Sequence, residues 1–319
     1  QGQFIKDFLR EELSLFDTYL RESVKSDNPR LSGIVDYVFN TNGKRLRPTM
    51  VLLTAKICGK VVPETYHGAV TVELLHTATL VHDDVIDKSE LRRGRRSVNA
   101  VFDNTRAVLV GDFLLSSALA ESVKTNVIDI IRTIAELGRD LSEGEMVQYS
   151  LAREIVVDEK SYFEVVEKKT ASLIRTSVII GAITGGADQH MISRLGKLGE
   201  ILGICFQIKD DIFDYYKVDV GKPTGNDIKE GKVTLPLIYA LQTAPKEVSD
   251  PILEIIQLRD YTDENIEKVL LFAKKYKGVE YANGKIKELL DMANGIISEL
   301  PVDKQYKDFL RLFLGYLSN

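Results

Sequence analysis

The sequence predicts an all-α protein that folds as one large helical domain over residues 1–319. Apolar residues recur at steps of three and four along the N-terminal segment, which is typical of an amphipathic helix. The two DDxxD clusters of the chain also lie within apolar segments that are read as helices. No linker divides the 319 residues, and a hydrophobic content of 44% is enough to bury a large core.

Composition and charge argue against several classes of protein. The net charge of −5 disfavours a nucleic-acid partner, which usually needs a basic surface. No run of about 18 apolar residues is present, so no membrane span is expected, and no signal peptide is recognised before the first helix. Cys58 and Cys205 lie in apolar surroundings, which predicts reduced thiols in a cytoplasmic protein but leaves a disulfide open.

Helices are predicted in order along the N-terminal half. Residues 27–29 break the first of them, and Pro48 suits the first turn of a later one. Gly111 and Asp112 are expected to interrupt the last. The predicted segments are residues 4–26, 31–39, 49–57, 63 to about 83, and 107–121.

The C-terminal half is also predicted to be helical. Asp158 is expected to cap one helix, and the glycines at 181, 185 and 186 either allow tight packing or end that helix. Residues 220–237 form a loop rich in Gly, Pro and Lys that can close over an anion. The predicted segments are residues 141–151, 158–177, 191 to about 214, a helix from 235, and then 251–258, 262–276, 278–300 and 304–317 without assigned chemistry.

An acidic cluster ends the helix that begins near Pro63. Asp83, Asp84 and Asp87 stand at i, i+1 and i+4, so their carboxylates lie on nearly one helix face. Three close carboxylates repel one another, which favours a hard divalent cation with oxygen ligands. Arg92 and Arg93 follow and suit an anionic ligand, since guanidinium groups match phosphate geometry. Taken alone, such a cluster is more often a solvated helix face.

A second acidic cluster with the same spacing strengthens the prediction of a metal site. Asp210, Asp211 and Asp214 repeat it in another apolar helix, and two facing acidic helix ends can hold metal ions between them. Residues 41–48, TNGKRLRP, add a basic loop before a helix N-terminus, an arrangement that attracts anions although KRLR alone is usually solvated.

With these motifs the chain resembles the trans-type isoprenyl (polyprenyl) diphosphate synthases, and in particular their medium- and long-chain members. The resemblance covers about residues 40–240, including the loop at 43–48, the KTA step at 169–171 and the pattern at 221–236. It implies one helical bundle of the isoprenoid synthase type with a central substrate cavity. It also implies a homodimeric prenyltransferase that condenses isopentenyl diphosphate head-to-tail onto an allylic diphosphate primer, with several Mg²⁺ ions per site.

The resemblance assigns roles to the residues that match the family's motifs. Isopentenyl diphosphate is expected to contact Lys44, Arg47, His76 and Arg93, and the allylic diphosphate Arg92, Lys169, Thr170, Gln207, Lys222 and Lys232. The implied catalytic set is Asp83, Asp84, Asp87, Asp210, Asp211, Asp214, Lys169 and Gln207, with Asp83, Asp87 and Asp210 as metal ligands. No side-chain base is nominated, and the departing diphosphate is expected to take the proton.

Residues before the first acidic cluster indicate the product length. Thr79 and Ala78 stand four and five positions before Asp83, where short-chain members of the family often place a large aromatic residue. Both are small here, and Leu75 one turn further is not aromatic. The sequence therefore predicts a product longer than farnesyl, in the hexaprenyl to octaprenyl range.

Other functions stay open at this point. A short-chain farnesyl or geranylgeranyl diphosphate synthase would share every motif. A class I terpene cyclase usually carries a second motif of Asn, Ser or Thr, and Glu, whereas DDIFD stands here. An HD-type phosphohydrolase would need more than the four histidines present, and a silent regulatory subunit usually lacks part of one acidic motif.

Overall fold

A computed structural model describes residue 5 and residues 7–40, 45–92, 94–216 and 225–318. It confirms the all-α prediction, and the chain divides into two compact units. The first unit comprises residues 1–139, 173–199 and 301–309, and the second comprises residues 140–172, 200–300 and 310–319. The prediction of a single domain over residues 1–319 stays a prediction.

The first unit contains the helices that precede and follow the first acidic cluster. They are α1 (Arg10–Ser23), α2 (Pro29–Phe39), α3 (Leu46–Cys58), α4 (Pro63–Ile86), α5 (Val98–Phe102) and α6 (Asn104–Lys124). Helix α4 starts at Pro63, as the sequence predicted. Helix α2 starts at Pro29, two residues before the predicted position 31, and the Asn28 side chain accepts from the amide of Arg30 there. Helices α4 and α6 pack along much of their length.

Helix α6 corrects one expectation, because it runs without interruption through Gly111 and Asp112. Glycine stands at position 111 because α6 lies close to α4 there, and it does not break the helix. A Cβ atom at position 111 would overlap the His82 ring, whose Nε2 lies 3.2 Å from the carbonyl oxygen of Val108. Gly111 therefore serves helix packing beside the first acidic cluster.

Four helices contribute residues to both units: α7 (Ile128–Glu154), α9 (Ser172–Gly185), α10 (Gln189–Phe213) and α16 (Lys304–Ser318). The predicted segment 141–151 is thus part of a longer helix. The remaining elements belong to the second unit. They are α8 (Glu159–Val166), a π-helical turn (Glu167–Ala171), α11 (Asn226–Lys229), α12 (Leu235–Thr243), α13 (Lys246–Leu258), α14 (Asp263–Lys275) and α15 (Gly278–Glu299).

A short antiparallel hairpin follows α4. Its strands, β1 (Leu91–Arg92) and β2 (Arg95–Arg96), are joined through Gly94, whose φ of 75° favours glycine. Within the described ranges, no helix is long and apolar enough to cross a membrane. Burial raises the pKa of both thiols, to about 11 for Cys58 and about 12 for Cys205, and neither forms a disulfide.

Candidate active site

The first acidic cluster lies at the C-terminal end of α4, and its three carboxylates have different surroundings. Asp84 is buried, with 3% of its surface exposed, and its Oδ1 accepts from Nε of Arg92 at 2.9 Å and from the Arg92 Nη2. Asp83 is half-buried, and Asp87, which ends the helix, is exposed. The hairpin is therefore tied to α4 through Asp84, while Asp83 and Asp87 are more accessible.

The first unit also contains a cavity of about 90 Å³ beside this cluster. It brings His76 together with Arg92, although the sequence assigned these residues to different substrates. Arg47 is half-buried at the start of α3, and Lys44 and Arg93 lie outside the described residues. The described lining residues are Tyr37, Val38, Phe39, Arg45, Glu73, His76, Thr77, Leu80, Val81, Asp84, Arg92, Arg95, Arg96, Ser97 and Val98. Four arginines and a histidine outnumber two carboxylates, so the cavity suits an anion.

Arg95 extends the basic lining beyond the pair predicted from the sequence. Its guanidinium lies 4.8 Å from the centre of the Tyr37 ring and donates to the carbonyl oxygen of Asn40 at 2.7 Å. The Tyr37 hydroxyl in turn donates to the carbonyl oxygen of Arg96 at 2.6 Å. These contacts fix the hairpin against α2 at one side of the cavity.

The candidate chain-length residues lie on α4. Leu75 and Ala78 are buried, with exposures of 2% and 1%. Thr79 is half-buried, and its hydroxyl donates to the carbonyl oxygen of His76 at 2.8 Å. Both Ala78 and Thr79 are thus small side chains on the helix that ends in the first acidic cluster.

In the second unit a π-helical turn contains the predicted KTA step. Such turns reorient side chains and often occur at functional sites. Lys169 forms an ion pair with Glu145 of α7, and the neighbouring Lys168 pairs with Glu143 at 2.9 Å. Both lysines therefore have carboxylate partners from α7.

The second acidic cluster is held by hydrogen bonds that start at the same π-helical turn. The Thr170 hydroxyl donates to Oε1 of Gln207 at 2.7 Å, and Nε2 of Gln207 donates to Oδ1 of Asp211 at 2.7 Å. The Tyr162 hydroxyl donates to the other oxygen of Asp211 at 2.6 Å. The close approach of the π-helical turn to α10 needs Gly203, because a Cβ atom at this position would overlap the backbone of Ala171.

Asp211 and Asp214 are engaged by protein groups. Burial raises the pKa of Asp211 well above its ordinary value, although the bonds from Tyr162 and Gln207 oppose this rise. The positive charge of Lys232 also lowers the pKa of Asp211, so this predicted lysine lies close to the cluster. The Asp214 carboxylate accepts from the amides of Asn226 and Asp227 at 3.0 and 3.1 Å. It therefore anchors the start of α11, while Lys222 lies outside the described residues.

The donor set suits a hard divalent cation. Asp83 is half-buried, and Asp87 and Asp210 are exposed, so their carboxylate oxygens are accessible. Among the described residues, no group of three or more His, Cys, Asp or Glu side chains is placed to hold a metal ion by itself. Mg²⁺ commonly binds one or two carboxylates and completes its shell with water and substrate phosphates. Each acidic motif, taken by itself, has carboxylates that fit that kind of site.

Sequence reasoning missed the contact of Tyr162 with the second acidic cluster and assigned no specific contact to Arg45. Tyr162 is separated from Asp211 by about fifty residues, and a tyrosine in an amphipathic helix gives no signal of such a contact. Arg45 belongs to the loop whose positive charge was predicted to face an anion, but it was assigned no substrate contact, and it lines the anion cavity.

Comparison with known proteins finds the family that the acidic motifs indicated. The sequence model of the family described as polyprenyl synthetase matches residues 28–272. Octaprenyl diphosphate synthase of Haemophilus influenzae is 34% identical over 92% of this chain and 89% of its own length. Enzymes of this family are metal-dependent.

Comparison with solved structures also finds prenyl diphosphate synthases. Geranylgeranyl pyrophosphate synthase from Bacteroides thetaiotaomicron has a TM-score of 0.85 and 37% identity, covering 98% of this chain and 97% of that one. A polyprenyl synthase from Caulobacter crescentus, complexed with calcium and isoprenyl diphosphate, has a TM-score of 0.91 and 28% identity, covering 100% and 98%. The chain therefore belongs to the polyprenyl synthetase family and is a prenyltransferase that acts on isopentenyl and allylic diphosphates.

Proposed function

We propose that this enzyme extends an allylic diphosphate, with Mg²⁺ as its metal, to a product longer than farnesyl, in the hexaprenyl to octaprenyl range. The observation that carries the proposal is the pair of small residues, Ala78 and Thr79, on α4 about one turn before Asp83. A large side chain there would end the hydrocarbon tunnel, whereas alanine and threonine leave room. The octaprenyl product of the Haemophilus influenzae relative supports a long product.

The anion cavity of the first unit is proposed to hold isopentenyl diphosphate. His76 lines the cavity, Arg47 lies at the start of α3, and both can donate to phosphate oxygens. Lys44 and Arg93 complete the proposed set by family resemblance. Fixing the second substrate near the ionising primer converts a bimolecular step into an effectively intramolecular one, an effect of several kcal/mol.

The allylic diphosphate is proposed to bind through both acidic motifs. Asp83, Asp87 and Asp210 would hold Mg²⁺, which neutralises the diphosphate and makes it a better leaving group. Calcium in the Caulobacter crescentus relative supports a hard divalent cation. Asp84 and Asp211 would keep the motifs in place through their bonds to protein groups.

Positively charged side chains are proposed to complete the binding site of the allylic diphosphate. Arg92, Lys169, Lys222 and Lys232 would surround the same diphosphate and stabilise the charge that develops as it leaves. Lys169 is paired with Glu145, so its contact with the diphosphate requires an exchange of partners. Thr170, the next residue in the chain, donates to Gln207, and Gln207 donates in turn to Asp211.

The test is product analysis. Purified enzyme is incubated with isopentenyl and farnesyl diphosphates and Mg²⁺, and the products are measured by mass spectrometry. We expect products in the hexaprenyl to octaprenyl range. The relative from Bacteroides thetaiotaomicron supports the alternative, a geranylgeranyl product. An enzyme that adds one unit or fewer to farnesyl diphosphate would contradict the long-chain proposal.

We also propose that the enzyme is a homodimer that uses α6 as its interface. One face of α6 packs on α4, yet the opposite face is also apolar, which is typical of a helix that is buried on both sides. Its large exposed apolar residues are Val108, Leu109, Leu115, Leu119 and Val123. A second copy of this chain fits this face, because the same apolar stripe on both partners makes a self-complementary contact.

A cytoplasmic location is part of the proposal and agrees with two free thiols.

Charges on α6 are expected to separate the dimer. Leu109 and Leu119 are 60% and 51% exposed, so replacing both by lysine leaves the packing on α4 intact and places charges in the interface. Sedimentation equilibrium should show a monomer. The control changes Leu258 and Leu271, exposed by 70% and 58%, to lysine and should stay dimeric. A dimeric α6 variant would exclude this face.

A further inference from the structure

Arg45 occupies a backbone conformation that its surroundings must maintain. It stands directly before α3 with a φ of 52°, in the left-handed region that non-glycine residues rarely adopt. Its carbonyl oxygen accepts from the amide of Thr49 at 3.0 Å and from the Thr49 hydroxyl at 2.6 Å. A residue held in this region usually has strong side-chain contacts or a functional constraint.

The side chain of Arg45 provides those contacts and joins three helices. Its Nη2 lies 3.2 Å from Oδ1 of Asp17 on α1, and its Nη1 donates to Oε1 of Glu73 on α4 at 3.2 Å. The guanidinium carbon lies 5.7 Å from the centre of the Phe16 ring. With 24% of the Arg45 side chain and 12% of the Glu73 side chain exposed, this pair is partly shielded from water.

These contacts lie at the anion cavity described above. Glu73 stands one helical turn before His76, and Arg45 stands two residues before Arg47. An unpaired Glu73 would place a negative charge on the wall of a cavity that receives a diphosphate. Arg45 cancels that charge and fixes the start of α3 against α4.

From this geometry we propose that Arg45 is a positioning residue for isopentenyl diphosphate, an inference that rests on the proposed function of the cavity. It holds Arg47 and His76 at a fixed separation through its bond to Glu73, and Asp17 holds Arg45 from the other side. Arginine is required because its planar fork reaches two carboxylates at once, whereas lysine presents a single point charge.

The chain offers a matched control at the other end of the same helix. Lys56 lies in the last turn of α3 and forms an ion pair with Glu12 of α1. Its Nζ lies 4.6 Å from the centre of the Phe8 ring, just as Arg45 lies over Phe16. Both cations thus join α3 to an acid and an aromatic ring near α1, but Lys56 does not line the cavity.

The experiment compares Arg45→Gln, Arg45→Lys, Asp17→Asn and Lys56→Gln by steady-state kinetics and thermal unfolding. Arg45→Gln should raise the KM for isopentenyl diphosphate by about 10-fold or more, the size of effect known for residues that orient the ligands of a metal site. The kcat and the KM for the allylic primer should stay close to wild type. Arg45→Lys should recover part of the loss, and Lys56→Gln should lower Tm without changing either KM.

Asp17→Asn gives a milder test if Arg45→Gln folds poorly, because its carboxylate is half exposed. It should raise the same KM by less, and adding it to Arg45→Gln should cause no further rise, since it acts through Arg45. Arg45 variants that alter only Tm, as Lys56→Gln is expected to do, would overturn the inference. A general loss of activity in the Arg45 variants, with kcat and both KM values changed together, would overturn it as well. Failure of the wild-type enzyme to use isopentenyl diphosphate would instead refute the proposed function.

Discussion

Replacing Asp83 and Asp210 together by alanine is expected to reduce turnover by about 10³-fold or more, because loss of a single preorganised group at a developing charge costs about 10²- to 10³-fold. Each side chain is proposed to supply carboxylate oxygen to the Mg²⁺ that makes the diphosphate a leaving group. Asp83 is half-buried and Asp210 is exposed, so the double variant should fold. Diphosphate release and thermal unfolding measure the two effects separately.

The control variant also removes two aspartates, but at positions outside both acidic motifs. Asp129 of α7 is half exposed and pairs with Arg132, and Asp250 of α13 is exposed. Alanine at both positions should leave turnover at the wild-type level. Persistence of wild-type turnover in the Asp83 and Asp210 variant would refute the metal proposal, because two of the three proposed metal ligands would then be absent.

The sequence predicted the helices well where the determinants are local. Asp158 does cap α8, accepting from the amide of Ser161 at 2.8 Å, and α12 begins at Leu235 as expected. Both depend on residues within one turn of the helix start, which a single sequence displays. The hairpin after α4 was missed because its strands are two residues each and have no alternation to detect.

The site was predicted less completely, since its contacts join residues that are distant in the sequence. The acidic spacing identified both motifs but treated their members alike. In the structure, Asp84 and Asp211 are buried and differ from the more exposed aspartates of the two motifs. Asp84 accepts from Arg92, and Asp211 accepts from Tyr162 and Gln207. Their direct part in catalysis stays a prediction. Periodicity also gave no indication of the π-helical turn at the KTA step, because it is one added residue within a continuous helical pattern.

Replacing Ala78 by phenylalanine is expected to shorten the main product to farnesyl or geranylgeranyl diphosphate. The position lies five residues before Asp83, so roughly 7.5 Å of helix separates it from the cluster where the primer ionises. A phenyl ring there would close the proposed tunnel after few additions. Ala78 is 1% exposed, so the larger ring also costs about 1–3 kcal/mol of stability by overpacking. Products are identified by mass spectrometry.

Two further variants separate a blocked tunnel from a strained helix. Thr79→Phe introduces the same ring at a half-buried position and should also shorten the product. Ala69→Phe is the control: Ala69 is fully buried on α4, but nine residues, roughly two and a half turns, place it on the opposite side of the helix from Ala78. It should lower Tm and leave product length unchanged. If Ala69→Phe shortens the product as much as Ala78→Phe, helix strain sets the length; if neither Ala78→Phe nor Thr79→Phe shortens it, these residues do not form the wall.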